Sequence, residues 1–291
     1  MAHIVVGVDR SAGAGFALRW AVEEAARTGA LLSTVHAWQL PVSARVPLSP
    51  ATISALQSSF DPAASMPVTD LPETTAWAVE GDPGPVLVER AEHADLLVVG
   101  GRQDGPFFRG TNTRVASYCL HHAAAPVAVV PCHEPAQRVT GQGRSVVVGV
   151  DSSVASHRAL RWAASAARQR DATLVAVHAW QVASASPTEV LHPPPDLRAP
   201  GDRARERLRC WIDETLGDEP AITVELSVHR GSPLDHLLEH AATADLVVLG
   251  AAGHQALRRR VMGSLNEQLA PLCPCPVVVV PPTPSLAGTS A

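Results

Sequence analysis

Lysine is absent from the 291-residue sequence, and all 23 basic residues are arginine. That absence removes the chemistries that need a primary amine: Schiff-base formation, the phosphate-binding lysine of a P-loop and the strand lysine of a protein kinase. Aromatic residues are scarce at 4 %, and charged residues make up only 18 %. No apolar run approaches the ~18 residues of a membrane span, so no transmembrane helix and no membrane partner are expected. Positive charge is not in excess either. With 28 acidic residues the formal net charge is −5, which offers no electrostatic footprint for nucleic acid or anionic lipid. Five cysteines, an odd number, argue against a disulfide framework. The opening Met1-Ala2-His3-Ile4-Val5-Val6 has no basic n-region or cleavage site, so the expected location is cytoplasmic. Signatures of catalysis are also missing: there is no Gly-x-Ser-x-Gly nucleophile elbow, no Ser/His/Asp order and no paired carboxylates.

What the sequence does have is apolar material and internal symmetry. Hydrophobic residues reach 46 %, and the length is about twice the commonest domain size. Laid on itself at an offset of 142, the chain repeats: Val5-Val6-Gly7-Val8-Asp9 returns as Val147-Val148-Gly149-Val150-Asp151, and Ala17-Leu18-Arg19-Trp20-Ala21 as Ala159-Leu160-Arg161-Trp162-Ala163. Val35-His36-Ala37-Trp38-Gln39 returns as Val177-His178-Ala179-Trp180-Gln181, and 19 of the 36 positions from 4 to 39 are identical. Further on the offset becomes 150, pairing Gly81 with Gly231, Ala94-Asp95-Leu96 with Ala244-Asp245-Leu246, Gly100 with Gly250 and Pro126-Val127 with Pro276-Val277. Two tandem domains follow, residues 1–133 and 144–283, joined by a polar, Pro- and Gly-containing linker.

Each copy alternates strand and helix signals. In the second, Val146 to Val150 is the continuous β-branched run of a strand buried on both faces. Asp151-Ser152-Ser153 caps a helix from Ser156 to about Gln169, with Leu160, Ala163, Ala164 and Ala167 as its apolar stripe. Strands over 174–179, 222–228, 245–249 and 277–280 alternate with helices over 202–216, 234–242 and 264–270. The predicted fold is α/β: two doubly wound five-stranded parallel sheets, Rossmann-like, each covered by helices on both faces. Residues Pro41 to Pro72 hold six prolines, so the second helix of the first copy is expected to be short or irregular.

In such a sheet a ligand sits beyond the carboxyl ends of the strands, where the strand order reverses. Asp151 follows the first strand of the second copy and Gly250 the fourth. From there the chain reads Gly250-Ala251-Ala252-Gly253, nine residues, then Gly263-Ser264 opening a helix. Glycines allow backbone N–H groups close to phosphate oxygens, Ser264 adds a hydroxyl, and a helix N-terminus adds a favourable dipole. No lysine is required.

At these residues the chain resembles a tandem-domain universal stress protein. Each copy has a Val-Gly-Val-Asp opening, a His-Ala-Trp at the second strand, an Ala-Asp-Leu fourth strand and a Pro-Val final strand. The phosphate signature of ATP-binding members, Gly-x2-Gly-x9-Gly-(Ser/Thr), is matched by Gly250, Gly253, Gly263 and Ser264. The resemblance implies an adenine nucleotide held around Gly149, Val150 and Asp151, by main chain near Ala179, and by Leu249, Gly250 and the loop to Ser264, with Leu265 and Asn266 beyond. ATP would bring Mg²⁺ on its phosphates. The resemblance also implies domains associating through their last strands, within a chain or between chains as a homo-oligomer.

The first copy departs from the signature. Gly100 is kept, but Gln103, Thr113 and Arg114 stand where Gly253, Gly263 and Ser264 do, so the second domain is expected to bind ATP and the first weakly or not at all. The expected function is a nucleotide-dependent regulatory stress-response protein acting on a protein partner, not an enzyme beyond slow ATP hydrolysis. The alternatives are a nucleotide-free protein-interaction module or a slow ATPase. Other motifs read as structural. His236-Leu237-Leu238-Glu239-His240 spells an inverted zinc-peptidase motif but reads as an amphipathic helix. Cys273-Pro274-Cys275 reads as buried free thiols, Arg258 to Arg260 as a solvated loop, His36 and His178 as hydrogen-bonded, and Trp20, Trp38, Trp162 and Trp180 as packing anchors.

Overall fold

A computed structural model describes residues 2–39, 74–101, 111–133, 143–180, 200–217, 222–251 and 265–282. They form two units, one within residues 1–135 and one within 136–282. In the first, β1 (His3–Gly7), α1 (Ala12–Thr28), β2 (Leu31–Trp38), β3 (Thr74–Glu80), α2 (Pro83–Arg90), β4 (Leu96–Gly100), α3 (Thr111–His122) and β5 (Val127–Val130) follow in order. The second repeats the plan with β6 (Ser145–Gly149), α4 (Val154–Arg170), β7 (Thr173–Trp180), α5 (Pro200–Leu216), β8 (Val224–Arg230), α6 (Pro233–Ala241), β9 (Leu246–Gly250), α7 (Leu265–Leu269) and β10 (Val277–Val280). The proline-rich stretch within residues 40–73 and the linker residues 134–142 lie outside the described residues.

All strand pairs are parallel within each unit, in the order β3-β2-β1-β4-β5 and β8-β7-β6-β9-β10. The chain therefore winds outward from β1, or from β6, in both directions, which is the doubly wound arrangement the alternating signals predict. The β-branched runs occupy the middle: Val5, Val6, Val146, Val147 and Val148 are all buried. Each such side chain stabilises its unit by about 1.5–3 kcal/mol.

The long first helices lie against these strands. The stripe expected on α4 is buried in full, and its mostly alanine composition lets the helix approach the sheet closely. Helix starts differ from the sequence expectation by a residue or two, and the reason is local. Ser153, not Asp151, is the N-cap of α4: its Oγ accepts the Ser156 N–H at 3.1 Å, and the helix begins at Val154. Asp151 acts one step earlier, with Oδ1 accepting the Ser153 N–H at 2.8 Å. The same turn occurs in the first unit, where Asp9 Oδ1 accepts from Ser11 N at 2.8 Å and Ser11 Oγ from Ala14 N at 3.2 Å.

After β3 and β8 the chain turns through Gly81 (φ 151°) and Gly231 (φ 125°), whose N–H groups donate to the carbonyls of Trp38 and Trp180 at 2.9 and 3.0 Å. A side chain is strained at such φ, so the repeated glycine is a backbone requirement. A proline follows at the first turn of the next helix in both units, Pro83 and Pro233.

Candidate functional site

Because all strands of a unit run the same way, their carboxyl ends share one edge. Register places Gly149, Val150, Asp151, Ala179, Leu249 and Gly250 of the second unit together there. Val148 pairs with Val248 across β6 and β9, and Gly149 with Val177 across β6 and β7. Gly149, Val150 and Asp151 therefore leave β6 between Ala179 on β7 and Leu249-Gly250 on β9. This is the switch point of the winding, where an open α/β sheet forms its crevice.

The main chain around Val150 is fully bonded. Its N–H donates to Val177 O at 2.9 Å, and its carbonyl accepts from His178 Nδ1 at 2.8 Å. His178 also meets the ring of Trp211 edge-on at 5.2 Å. His36 makes the matching bond to Val8 O at 3.0 Å, so both histidines are hydrogen-bonded braces at the strand ends. They are half-buried, as are the four repeated tryptophans. The side chain of Leu249 is buried against Gly149, so it could offer a ligand nothing but main chain. Asp151 is exposed at the mouth of the crevice, and its N–H donates to Ser156 Oγ at 2.8 Å.

Gly250 has a role that its sequence context did not reveal. A Cβ there would lie 2.5 Å from the carbonyl carbon of Ala155 and 2.6 Å from Ser156 N, both backbone atoms of the first turn of α4. Gly100 is in the same position, with a Cβ meeting Gly13 C at 2.6 Å. The first glycine of the signature is thus demanded by helix–strand packing, in both domains.

Asn266 closes the other side. It is 7 % exposed, and its Nδ2 donates to Gly250 O at 3.3 Å, tying α7 to the end of β9. The N–H of Ala251 donates to Val280 O at 2.8 Å. Leu265 begins α7 beside it. Gly253, Gly263, Ser264 and Arg258 to Arg260 lie outside the described residues.

In the first unit Ala116 stands where Asn266 does, so this tie is missing. Thr113, aligned with Gly263, already lies inside α3. Arg114 lines a shallow hollow of about 400 Å³ with Ser117, Tyr118, His121 and His122 of the same helix.

The model of the universal stress protein family matches twice, over residues 1–131 and 143–281. The chain belongs to the universal stress protein family. A universal stress protein of Mycolicibacterium smegmatis is 31 % identical over 96 % of this chain and 97 % of its own length. One of Mycobacterium tuberculosis is 31 % identical over 95 % of each chain. A crystal structure of a universal stress protein from Archaeoglobus fulgidus superposes with a TM-score of 0.66 at 18 % identity, over 96 % of this chain and 98 % of that one, and supports the tandem fold.

The remaining motifs of this universal stress protein are also placed. Cys273 and Cys275 are buried with their sulfurs 3.6 Å apart, and none of the five cysteines is in a disulfide. The hydrogen bond between them lowers Cys273 and, together with burial, raises Cys275, so Cys273 is the more acidic thiol. Cys119 is pushed up to about 12 by burial. The His236…His240 motif lies on α6 as expected, but it faces side chains of β8 that the motif alone did not reveal. No helix among the described residues is long and apolar enough to cross a membrane.

Proposed function

We propose that this universal stress protein binds ATP, with Mg²⁺ on the phosphates, in its second domain and uses the bound nucleotide as a regulatory signal to a protein partner in the cytoplasm. The observation that carries the reading is the convergence at the switch point. Asp151, Ala179, Gly250 and Asn266 meet at one strand edge, and the glycine-rich run to Ser264 leaves from it. A donor set of backbone amides, a hydroxyl and an amide side chain suits a polyanion without lysine. Asp151 and the main chain near Ala179 would hold the nucleoside, and the loop from Gly250 to Ser264, with Leu265 and Asn266 beyond it, the phosphates.

The regulatory role follows from what surrounds that set. No lysine clamp accompanies it, and His178, the histidine beside it among the described residues, has its Nδ1 committed to Val150 O. Phosphate release in multiple turnover should therefore stay well below about 1 s⁻¹, the low end for phosphoryl-transfer enzymes. Association through the last strands, β5 and β10, gives the homo-oligomer, which light scattering on the purified chain checks.

The direct test is mass spectrometry of nucleotide released by denaturing freshly purified protein, on wild type and Gly263→Ala. Adenine nucleotide retained by wild type and lost from the variant is the expected result. A wild type that stays empty after incubation with millimolar ATP would overturn the proposal.

A further inference from the structure

The third helix of the second domain does more than cover the sheet. His229 and Ser227 on β8 face His236 and His240 on α6, one helical turn apart. Ser227 Oγ lies 2.6 Å from His229 Nε2 and 2.8 Å from His240 Nε2, and the two imidazole nitrogens are 3.4 Å apart. His236 stacks on His229 with ring centres 4.2 Å apart and planes 17° from parallel, and its Nε2 donates to Arg230 O at 3.3 Å. Its Nδ1 is buried without a hydrogen bond, the nearest carboxylate being Glu239 Oε2 at 3.7 Å.

Two nitrogens bound to one tetrahedral ion at 2.0–2.1 Å stand about 3.3–3.4 Å apart. The separation between His229 and His240 matches that edge. It is too long for a strong hydrogen bond between the rings, and Ser227, with a single proton, now bridges them. His236 Nδ1 is thus shielded from water without a hydrogen bond although its side chain is 23 % exposed, which is uncommon for a polar atom. The first domain shows that the fold does not need this cluster: at the positions of Ser227, His229, His236 and His240 it has Trp77, Val79, Val86 and Arg90, with the Arg90 guanidinium 4.9 Å over the Trp77 ring.

We infer that His229 Nε2 and His240 Nε2 bind a divalent transition-metal ion of the zinc class in place of their hydrogen bonds to Ser227 Oγ, the ring that donates its N–H to that hydroxyl moving this proton to Nδ1 as its Nε2 lone pair takes the ion. No group of three or more His, Cys, Asp or Glu suited to an ion is present among the described residues, so water completes the coordination and the ion keeps open positions. Ser227 then hydrogen-bonds that water. His236, stacked on His229, holds its ring in the binding orientation, as outer partners of metal ligands do. Imidazole ligands select ions of the zinc, nickel and copper group over magnesium or calcium.

Calorimetric titration of the chelator-treated, nucleotide-free chain with zinc chloride near pH 7.5 tests the site. Wild type and the surface control His93→Gln should bind zinc at the cluster. His229→Gln and His240→Gln should each bind at least about 10-fold more weakly, the lower end of what even outer-partner changes cost. Lowering the pH to about 5.5 should release the ion, because protons compete for the same nitrogens. Zinc should also raise the melting temperature of wild type but not of the glutamine variants. Circular dichroism of the zinc-free variants verifies their fold. Should His240→Gln fail to fold, His229→Gln and Ser227→Ala carry the test. No binding tighter than about 0.1 mM, or binding unchanged in folded glutamine variants, would overturn the inference.

Discussion

Gly100 and Gly250 end equivalent strands, and each lies against the backbone of the first turn of its domain's long helix, at 2.6 Å from Gly13 C and 2.5 Å from Ala155 C for an added Cβ. Asp9 and Asp151 make the same turn to the serine two residues on. So Gly100 and Gly250 are required by packing, and Asp9 and Asp151 each make a local turn, whether or not a domain also binds a ligand. The domains part company further along. Asn266 ties α7 to Gly250 O where the first domain has Ala116, and Thr113 is helical where the second has Gly263. A shared motif residue marks the frame, and the unshared ones mark the function.

The largest effect should therefore be on stability and equal in the two domains. Gly250→Ala and Gly100→Ala each force a methyl group into backbone, costing about 2–3 kcal/mol. Urea unfolding monitored separately for each domain checks this. If Gly250→Ala left stability intact and removed only nucleotide, the comparison would fail. Next comes a loss confined to one domain. Gly263→Ala should weaken ATP binding at least about 10-fold, roughly 1.4 kcal/mol, with stability unchanged, whereas Thr113→Ala in the first domain should leave ATP binding as it was.

Asn266→Ala removes the bond to Gly250 O and should cost about 1 kcal/mol of second-domain stability, along with ATP affinity. Ala116→Asn should confer no nucleotide binding on the first domain, because Thr113 stays inside α3. The smallest contrast is again symmetric: Ser11→Ala and Ser153→Ala each lose an N-cap, for about 1 kcal/mol or less, visible as matched shifts in thermal unfolding.

Much of this was legible in the residues alone. Valine runs such as 146–150 announce strands buried on both faces, and the repeat fixes their number because what is read in one copy is checked in the other. Helix ends were less legible, since a serine cap and an aspartate turn compete for neighbouring N–H groups and only the backbone decides between Asp151 and Ser153. The close approach of Gly250 to α4 depends on tertiary contact and has no local signal. The bond from Asn266 to Gly250 O is of the same kind. The histidine cluster shows the limit most clearly. His236 and His240 are visible as a motif on α6, but Ser227 and His229 join them only once β8 is placed beside β7.

The central claim, that nucleotide belongs to one domain of the two, is tested most directly by calorimetric stoichiometry of ATP binding to the intact chain in the presence of Mg²⁺. The account predicts a single ATP per chain, bound at least about 10-fold more weakly by Gly263→Ala. Two equivalent ATP per chain, or none, would contradict it.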